Sequence, residues 1–512
     1  MFGMRSIMLF LSQFGIDSSS SISIWKRWGT MAQRMIEENP YLLCCEEIGM
    51  DFDQCEQIAR KLNIPLDSSY RIEAAIQFVL RHNLFNGHTC LPMDKLIPTA
   101  QNLLSQSQVM VENSMQALLR RREIVNVDVN GRAYCYLPEY LEAERFIASR
   151  LKFMIMAGEE NLLGAKKKLA QLEEKNGISY ASLQQEAILQ AISHQIFILT
   201  GGPGTGKTTT VAKIIECLLS DKPDLSLKLA APTGKATARI MQSLEESALR
   251  FEPFFPRLVH KLKESELPSR TIHKWLVTPT ATGRSPSSDN PIDCDVLIID
   301  EASMIDISLA KELLDVIDTS RTRLILLGDK HQLSAVGPGS VLADLTVKHG
   351  AISQCVKELT VSHRFTADSN VGQMAYAINS ADDAFEVKTF INRFADSRDG
   401  KDAVSVHVPT ENTAPLSEAF LDWIRPHMQA YIESLNAYLT LPDQKHLEAL
   451  WEAIDRFRVF AAQRQGPMSV SAVNAWAEDY VKRALGVVDE TIFYPGRLII
   501  IRVNSSDLHR IL

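Results

Sequence analysis

The sequence is poor in the patterns that bind metals or form disulfides through cysteine. Its eight cysteines are scattered, no two of them are spaced as Cys-x-x-Cys, and none lies at zinc-ligand spacing from a histidine. Closely spaced cysteines are the usual sign of a zinc site or of the disulfide framework of a secreted protein. We therefore expect reduced thiols and a cytoplasmic protein.

Long apolar runs are also absent. Residues 1–14 are apolar only in patches, because polar residues such as Arg5 and Ser12 interrupt them. A membrane-spanning helix needs about 20 consecutive apolar residues. No small-residue cleavage site follows, so the pattern is not that of a signal peptide either. We expect no membrane partner.

An excess of positive charge is missing too, since the formal net charge at pH 7 is −8. This argues against a protein that coats DNA along its whole surface. It does not exclude an enzyme that acts on nucleic acid, because binding needs only a local basic groove. The hydrophobic share of 46% and the charged share of 23% are ordinary for a globular protein with several domains.

The most specific pattern that is present is a phosphate-binding loop. Residues 201–208 read Gly-Gly-Pro-Gly-Thr-Gly-Lys-Thr and lie between the apolar run 196–199 and a helical pattern over 208–219. Glycines let the backbone turn N–H groups toward phosphate oxygens, and the helix N-terminus adds partial positive charge. We expect Lys207 to reach the β- and γ-phosphates and Thr208 to hold Mg²⁺. The remaining nucleotide contacts of this loop are expected from Gly202, Pro203, Gly204, Thr205, Gly206 and Thr209.

Two carboxylates, Asp300 and Glu301, follow the apolar strand pattern 296–299. In parallel sheets the ligand chemistry lies at the carboxyl ends of the strands, beside the phosphate loop. There Asp300 can hold Mg²⁺ and Glu301 can polarise the attacking water. Alone, this pair is equally compatible with a solvated helix start. Downstream of a phosphate loop it predicts a nucleotide-hydrolysing site.

Two further residues are candidates for contact with the γ-phosphate. Gln332 follows the next strand pattern, 324–327, and Arg364 lies further along the chain. A cation at the γ-phosphate stabilises the charge that develops during phosphoryl transfer, and Arg364 could supply it from a second domain. Considered without the other motifs, Arg364 is better explained by a surface ion pair.

Two segments are candidates for DNA contacts. In 230–239, small residues let a backbone approach closely, and Pro232, Thr233 and Lys235 suit phosphate contacts at the start of a helix. A second segment, Thr271-Ile272-His273-Lys274, offers His273.

One side chain upstream of the loop suggests which nucleotide is bound. The Gln184 amide can pair with the N6 and N7 edge of adenine, which would select ATP over GTP. A GTPase is also disfavoured because the sequence has no Asn-Lys-x-Asp motif for guanine.

The region before the phosphate loop reads as small helical units. Residues 1–70 contain two helix–glycine–helix units, which are typical of helix–hairpin–helix DNA contacts but equally of a plain helical bundle with glycine C-caps. Residues 71–140 show three helical stretches and a hairpin with a turn at Asn130-Gly131. This indicates a winged-helix-like module, which binds DNA or serves as a protein–protein spacer. Residues 141–180 read as a helical linker.

In this order and spacing the motifs resemble superfamily 1 DNA helicases of the RecD type. The segments around Asn39-Pro40-Tyr41 and Gly87-His88-Thr89 resemble the extension of the free-standing members, which act without RecB and RecC partners. The resemblance implies an α/β fold with RecA-like parallel sheets that close on ATP and step 5′→3′ along single-stranded DNA. It implies a first RecA-like ATPase domain at 181–365 and a partial second one at 366–512.

The sequence departs from the family pattern at several places. The family usually has Asp where His331 stands, Pro where Ser334 stands, and Gly where Asp51 stands. Segments 457–460 and 494–497 resemble strands of the second RecA-like domain, but the remaining helicase segments, including a second γ-phosphate arginine, do not follow. The small β-barrel expected at the N-terminus is also missing. We therefore expect a chain truncated at both ends.

Together these patterns predict an ATP-dependent DNA helicase that acts in recombination or repair on single-stranded DNA or on DNA with a 5′ single-stranded tail. The alternative is an ATP- and DNA-binding module that cannot unwind. A P-loop kinase is disfavoured, because it accounts neither for segment 232–239 nor for the N-terminal units. The sequence does not indicate protein partners.

Overall fold

The structure is a computed structural model of the 512-residue chain. It describes residues 2–16, 18–45, 47–157, 162–176, 182–250, 254–333, 335–360, 369–380, 416, 418–488 and 491–499. The chain divides into two compact units, Met1–Ser380 and Ala381–Leu512.

The N-terminal part of the first unit is helical. Its helices are α1 (Phe2–Ser12), α2 (Ser18–Trp28), α3 (Ala32–Glu38) and α4 (Phe52–Lys61). The turn glycines Gly15 and Gly49 have φ values of +78° and +73°, which L-residues with side chains rarely adopt. At the start of α4 the Asp51 carboxylate accepts the Gln54 N–H at 2.7 Å. This carboxylate thus lies at the helix N-terminus that a DNA phosphate would otherwise approach.

The next elements have the order of a winged helix. They are α5 (Ser69–Leu84), β1 (Cys90–Pro92), α6 (Met93–Leu104), α7 (Gln108–Arg121), β2 (Val125–Val129) and β3 (Arg132–Tyr136). The three antiparallel strands pair in the order β1-β3-β2. The hairpin predicted around Asn130-Gly131 is present, because β2 pairs with β3 from Val125↔Tyr136 to Val129↔Arg132. Both turn residues have positive φ, as this tight turn requires.

Two helices connect this module to the phosphate loop, α8 (Pro138–Ala157) and α9 (Leu162–Asn176). The sequence indicated a helical linker here, and α8 also packs against the central sheet. Its apolar face buries Ile147, Leu151 and Met154 in the same core cluster as Ile196 on the central sheet. Burial of this stripe makes α8 an integral part of the layer that covers the central sheet.

The rest of the first unit is a six-stranded sheet with helices on both faces. The strands are β4 (Ile196–Gly201), β5 (Leu227–Ala231), β6 (Ser269–Thr271), β7 (Val296–Ile299), β8 (Arg323–Gly328) and β9 (Val356–Leu359). The helices are α10 (Ser182–Ser193), α11 (Lys207–Asp221), α12 (Gly234–Arg250), α13 (Pro256–Lys263), α14 (Ile272–Val277), α15 (Ile307–Asp315), α16 (Val341–Leu345) and α17 (Asn370–Ser380).

All strand pairs in this sheet are parallel, and the order is β6-β5-β7-β8-β4-β9. Strands β4 and β7 are buried at every position, as expected for a sheet covered on both faces. One core cluster lies under α10–α13 and the other under α8, α14 and α15. The expected α/β fold with a RecA-like phosphate-loop sheet is confirmed. The phosphate loop, the acidic pair and the Gln332 segment all lie at the carboxyl edge of this sheet.

The described part of the second unit is helical, with α18 (Glu418–Thr440), α19 (Gln444–Asp455) and α20 (Val470–Leu485). The strands predicted at 457–460 and 494–497 are not present, so this expectation was wrong. Instead the Phe457 ring stacks on His427 of α18 at 3.9 Å between centroids, and Phe460 is exposed. Neither segment finds a neighbouring strand among the described residues, and a strand needs such a partner for its backbone groups.

No described helix is both long enough and apolar enough to cross a membrane.

Candidate nucleotide site

The phosphate loop joins the buried strand β4 directly to α11. Gly204 and Gly206 have φ values of +73° and +83°, and Gly206 precedes the first residue of α11. A Cβ on Gly201 would lie 2.6 Å from the Leu359 carbonyl oxygen of β9, so only glycine fits where these two strands pair. The loop therefore wraps the helix N-terminus as anion binding requires.

Lys207 lies at the start of α11 and is directed back over this loop. Its Nζ donates to the carbonyl oxygens of Gly201 and of Gly202, the latter at 3.0 Å. Burial lowers the pKa of the Lys207 ammonium, and the negative charges of Asp329, Asp300 and Glu301 oppose this shift. The structure thus brings the lysine within electrostatic reach of the two predicted carboxylates and of a third, Asp329.

The acidic pair follows the last residue of β7. The Asp300 carboxylate accepts the Glu301 N–H at 2.9 Å, and Glu301 has a φ of +53°, an uncommon conformation for a non-glycine residue. Burial raises the pKa of Asp300, which is the expected effect of desolvating a carboxylate. Backbone strain and a desolvated charge together are typical of a functional site.

Asp300→Asn is expected to stabilise the fold while it removes nucleotide turnover. The folded-state pKa lies above the unfolded value, so the stability that protonated Asp300 contributes is present below the unfolded pKa and lost as the pH rises through the folded pKa. At neutral pH the uncharged isostere should therefore melt at a higher temperature. Calorimetry and a phosphate-release assay with Mg²⁺ measure the two effects.

The control for this prediction is Asp318→Asn. Hydrogen bonds from Ser320 lower the pKa of Asp318, so the sign is reversed: its stability contribution is present above the unfolded pKa and lost on acidification through the folded pKa. Asp318→Asn should lower the melting temperature slightly and leave turnover unchanged. An equal loss of stability in both variants would contradict the assignment of Asp300.

The loop after β8 carries Gln332. At its start, the Lys330 N–H donates to the Thr200 hydroxyl of β4 at 3.2 Å, and the buried Asp329 accepts the His331 N–H at 3.0 Å. The Gln332 side chain is exposed beside this turn. The His331 imidazole lies 3.8 Å from Glu358 of β9, a neighbour that the usual aspartate could not pair with.

The far end of this loop contacts the winged-helix module. The Gly339 N–H donates to the Gly87 carbonyl oxygen at 3.1 Å, and the Ile307 N–H of α15 donates to Pro338 at 3.0 Å. The Thr89 hydroxyl donates to Glu144 of α8 at 2.6 Å. The segment around Gly87 and Thr89 therefore joins the N-terminal module to the Gln332 loop.

The two adjacent glutamines of α10 have different environments. Gln184 accepts a hydrogen bond from Lys213 of α11 at 2.7 Å, whereas Gln185 donates to Glu173 of α9 at 2.8 Å. Only Gln184, the predicted adenine contact, is therefore directed toward the helix that begins at the phosphate loop.

The candidate DNA contacts come together at the carboxyl edge. Strands β5 and β6 pair up to Ala231↔Thr271, so the segments that follow them are neighbours. Thr233 accepts the Ala236 N–H at the start of α12, and Pro232 precedes it. Thr233, Lys235 and His273 are exposed. This edge offers hydroxyl, ammonium and imidazole groups, all suited to phosphate contacts.

Sequence reasoning missed Arg239. This exposed residue of α12 acts electrostatically on both Lys207 and Asp300. The signal was available, because Arg239 lies four residues after Lys235 and therefore on the same helix face. The predicted arginine, Arg364, lies outside the described residues.

Comparisons with known proteins match both parts of the first unit. Residues 1–90 match the ATP-dependent RecD2 DNA helicase HHH domain, and residues 184–338 match an AAA domain. The RecBCD enzyme subunit RecD of Mycolicibacterium smegmatis is 32% identical over 332 residues, which are 64% of this chain and 55% of that protein. The ATP-dependent RecD2 DNA helicase of Deinococcus radiodurans is 25% identical over 386 residues, 73% of this chain and 49% of that protein.

The chain thus spans about half the length of the curated relatives it matches. A crystal structure of the Pif1 helicase from Candida albicans aligns at 18% identity over 51% of this chain and 55% of that one, with a TM-score of 0.26. The sequence matches show instead what this chain resembles. It is similar to RecD and RecD2 proteins, with a match to a RecD2 helix–hairpin–helix domain and a match to an AAA domain.

Proposed function

We propose that this chain is the motor part of an ATP-dependent DNA helicase that couples ATP hydrolysis to 5′→3′ movement on single-stranded DNA. The observation that carries the proposal is the convergence of Lys207, Asp300, Glu301 and Asp329 beside one phosphate loop. A phosphate loop alone binds a nucleotide. With two strand-end carboxylates beside it, the site also has the groups that hydrolysis needs.

Each group has a defined role in this proposal. The Lys207 ammonium exchanges its loop carbonyl contacts for the β- and γ-phosphates, and its positive charge stabilises the transferring phosphoryl group. Glu301 orients the attacking water and accepts its proton. Gln332 and Arg364 contact the γ-phosphate. Gly202 to Gly206, with Thr208 and Thr209, bind the phosphate chain through backbone and hydroxyl groups.

Asp300 and Thr208 fit a magnesium ion, because both offer the hard oxygen donors that Mg²⁺ prefers and both lie at the phosphate loop. When bound, the ion neutralises charge on the β- and γ-phosphates. Burial raises the pKa of Asp300 although Lys207 and Arg239 oppose the shift, and a bound cation would offset this desolvation further.

The DNA strand is proposed to cross the carboxyl ends of β5 and β6. Pro232, Thr233, Lys235 and His273 supply contacts there. Strand β5 lies beside β7 and its carboxylates, and β6 pairs with the other side of β5. A strand bound at this edge is therefore separated from the ATP site only by short loops. Such proximity lets nucleotide binding alter the grip on DNA. We propose DNA with a 5′ single-stranded tail as the substrate.

ATP turnover is expected to rise when single-stranded DNA is added, and DNA affinity is expected to fall steeply with salt. Each phosphate contact releases counterions, so a few contacts should weaken binding roughly 10-fold or more between about 50 and 200 mM salt. Fluorescence anisotropy with a labelled oligothymidylate, alongside a phosphate-release assay, measures both. Lys235→Ala should reduce by about one the salt slope, which is the slope of the logarithm of the DNA-binding constant against the logarithm of the salt concentration.

The control is Lys348→Ala, an exposed lysine before the amino end of β9 and so away from the carboxyl edge. It should leave the salt slope unchanged. Salt-independent binding, or equal effects of both lysines, would contradict the DNA path. A strand-separation assay on a tailed duplex separates a helicase from the alternative, a module that binds ATP and DNA without unwinding.

A further inference from the structure

The hydrogen bond between Gln184 and Lys213 links the proposed adenine contact to the phosphate-loop helix. The Lys213 ammonium donates to the Gln184 amide oxygen at 2.7 Å. Both side chains are half-buried. Lys213 lies six residues after Lys207, which is about 9 Å further along α11. The pair is therefore separated from the phosphate loop by a distance that the sugar and base of a nucleotide can span.

This contact determines which way the amide faces. An ammonium group only donates hydrogen bonds, so the atom opposite Lys213 must be the amide oxygen and the NH₂ group must point away. Burial lowers the pKa of Lys213, which shows that its ammonium has lost much of its hydration. A charge-assisted bond to Gln184 replaces part of that hydration, and it is stronger than a bond between two neutral groups.

We propose that Lys213 is a positioning residue for nucleotide selection, which fixes the Gln184 amide so that it reads adenine and disfavours guanine. The proposal rests on the function proposed above. With its orientation fixed, the amide NH₂ can donate to N7, and the second lone pair of the oxygen can accept from the adenine N6 amino group. Guanine carries an acceptor, O6, in place of that amino group, so two oxygens would face each other.

Without Lys213 the amide can rotate by half a turn. Its NH₂ group can then donate to guanine O6, so guanine gains a hydrogen bond that the fixed amide cannot form. Lys213→Met should therefore weaken the binding of adenine nucleotides and spare that of guanine nucleotides. Lys213→Arg keeps a donor at this position and should retain the preference of the wild-type chain.

The test compares the dissociation constants of ADP and GDP, which are not hydrolysed, by titration calorimetry with the full chain. We expect Lys213→Met to lower the ratio of the GDP dissociation constant to the ADP dissociation constant by about tenfold. This is the discrimination typical of one good bidentate contact. Gln184→Leu should narrow it equally, and the double variant should narrow it no further, because the two residues act as one unit. If Lys213→Met does not fold, Lys213→Gln, which is neutral and polar, should give a smaller narrowing in the same direction.

The matched control is Gln185→Leu, since this neighbouring amide faces Glu173 and should leave the ratio unchanged. An unchanged ratio in a folded Lys213 variant would overturn the proposal, whether or not Gln184→Leu narrows it. A loss of binding with no change in ratio would show a purely structural role for Lys213 and would overturn it as well. Failure of the wild-type chain to bind ADP would instead refute the proposed function itself.

Discussion

Lys207→Ala is expected to reduce ATP turnover by roughly 10³-fold while the protein stays folded. The lysine is the positive charge nearest the transferring phosphoryl group in the proposed site, and removing such a group costs catalysis about two to three orders of magnitude. Its ammonium contacts only loop carbonyl oxygens in the hydrogen bonds that the structure gives it. A phosphate-release assay at saturating Mg²⁺–ATP, with and without single-stranded DNA, measures the loss.

Stability should not fall in this variant. Burial lowers the pKa of Lys207, so the folded protein already disfavours its charge, and the alanine variant is relieved of that desolvation. The melting temperature should therefore stay the same or rise. Lys222→Ala, at the other end of α11, is the matched control and should retain turnover. Near-normal hydrolysis by folded Lys207→Ala would refute the assignment of the site.

Glu216→Ala is expected to lower the free energy of unfolding by about 3 kcal/mol or more, through loss of buried hydrogen bonds to α13. Glu216 lies on α11 and is 1% exposed. Its carboxylate accepts the N–H groups of Arg257 at 3.1 Å and Leu258 at 2.9 Å, at the first turn of α13. The variant would leave these buried donors unsatisfied. Urea denaturation followed by circular dichroism gives the free energy.

Two variants separate the hydrogen bonds from the charge. Burial raises the pKa of Glu216, so the charge itself is costly, and Glu216→Gln, which keeps one acceptor, should lose much less stability than Glu216→Ala. Glu245→Ala, an exposed glutamate on α12, should change the free energy by less than about 0.5 kcal/mol. Equal losses at Glu216 and Glu245 would show that the carboxylate does not hold α13.

The coupling of α13 to α11 also bears on the nucleotide site, because α11 begins at the phosphate loop. Leu258 and Val259 of α13 are buried in the core cluster that contains Val211 and Ile215 of α11. A helix held by Glu216 therefore supports the element that presents Lys207. Partial loss of ATP affinity in Glu216→Ala, in proportion to its loss of stability, is consistent with this arrangement.

The sequence alone determined the phosphate-loop core, because its motifs are local. A phosphate loop needs adjacent glycines, a lysine and a following helix, and residues 201–208 contain all of them in the order found. The buried strands could be predicted for the same reason. Strands β4 and β7 are short runs of apolar residues, as expected where both faces of a sheet are covered. Parallel pairing of β7 and β8 then brought Asp300 and Asp329 to one edge of the sheet.

The second unit shows where this reasoning fails. The runs at 457–460 and 494–497 are expected as strands only from the resemblance to the family. Side chains of both contact helices instead, and the structure gives them no neighbouring strand within the residues it describes. Whether a segment forms a strand depends mostly on the strands that it can pair with and pack against. A short run of residues does not determine which these are.

Only the tertiary structure decided which residues support the site. The helix α13 has no side-chain cap from its own N-terminus, and its cap comes from Glu216, 41 residues earlier. Lys213 holds Gln184 across 29 residues, and Gly339 reaches Gly87 across an even longer separation. Such contacts depend on how helices and loops pack against one another. Sequence spacing records the periodicity of one element, and it carries no information about which distant backbone or carboxylate will satisfy a buried polar group.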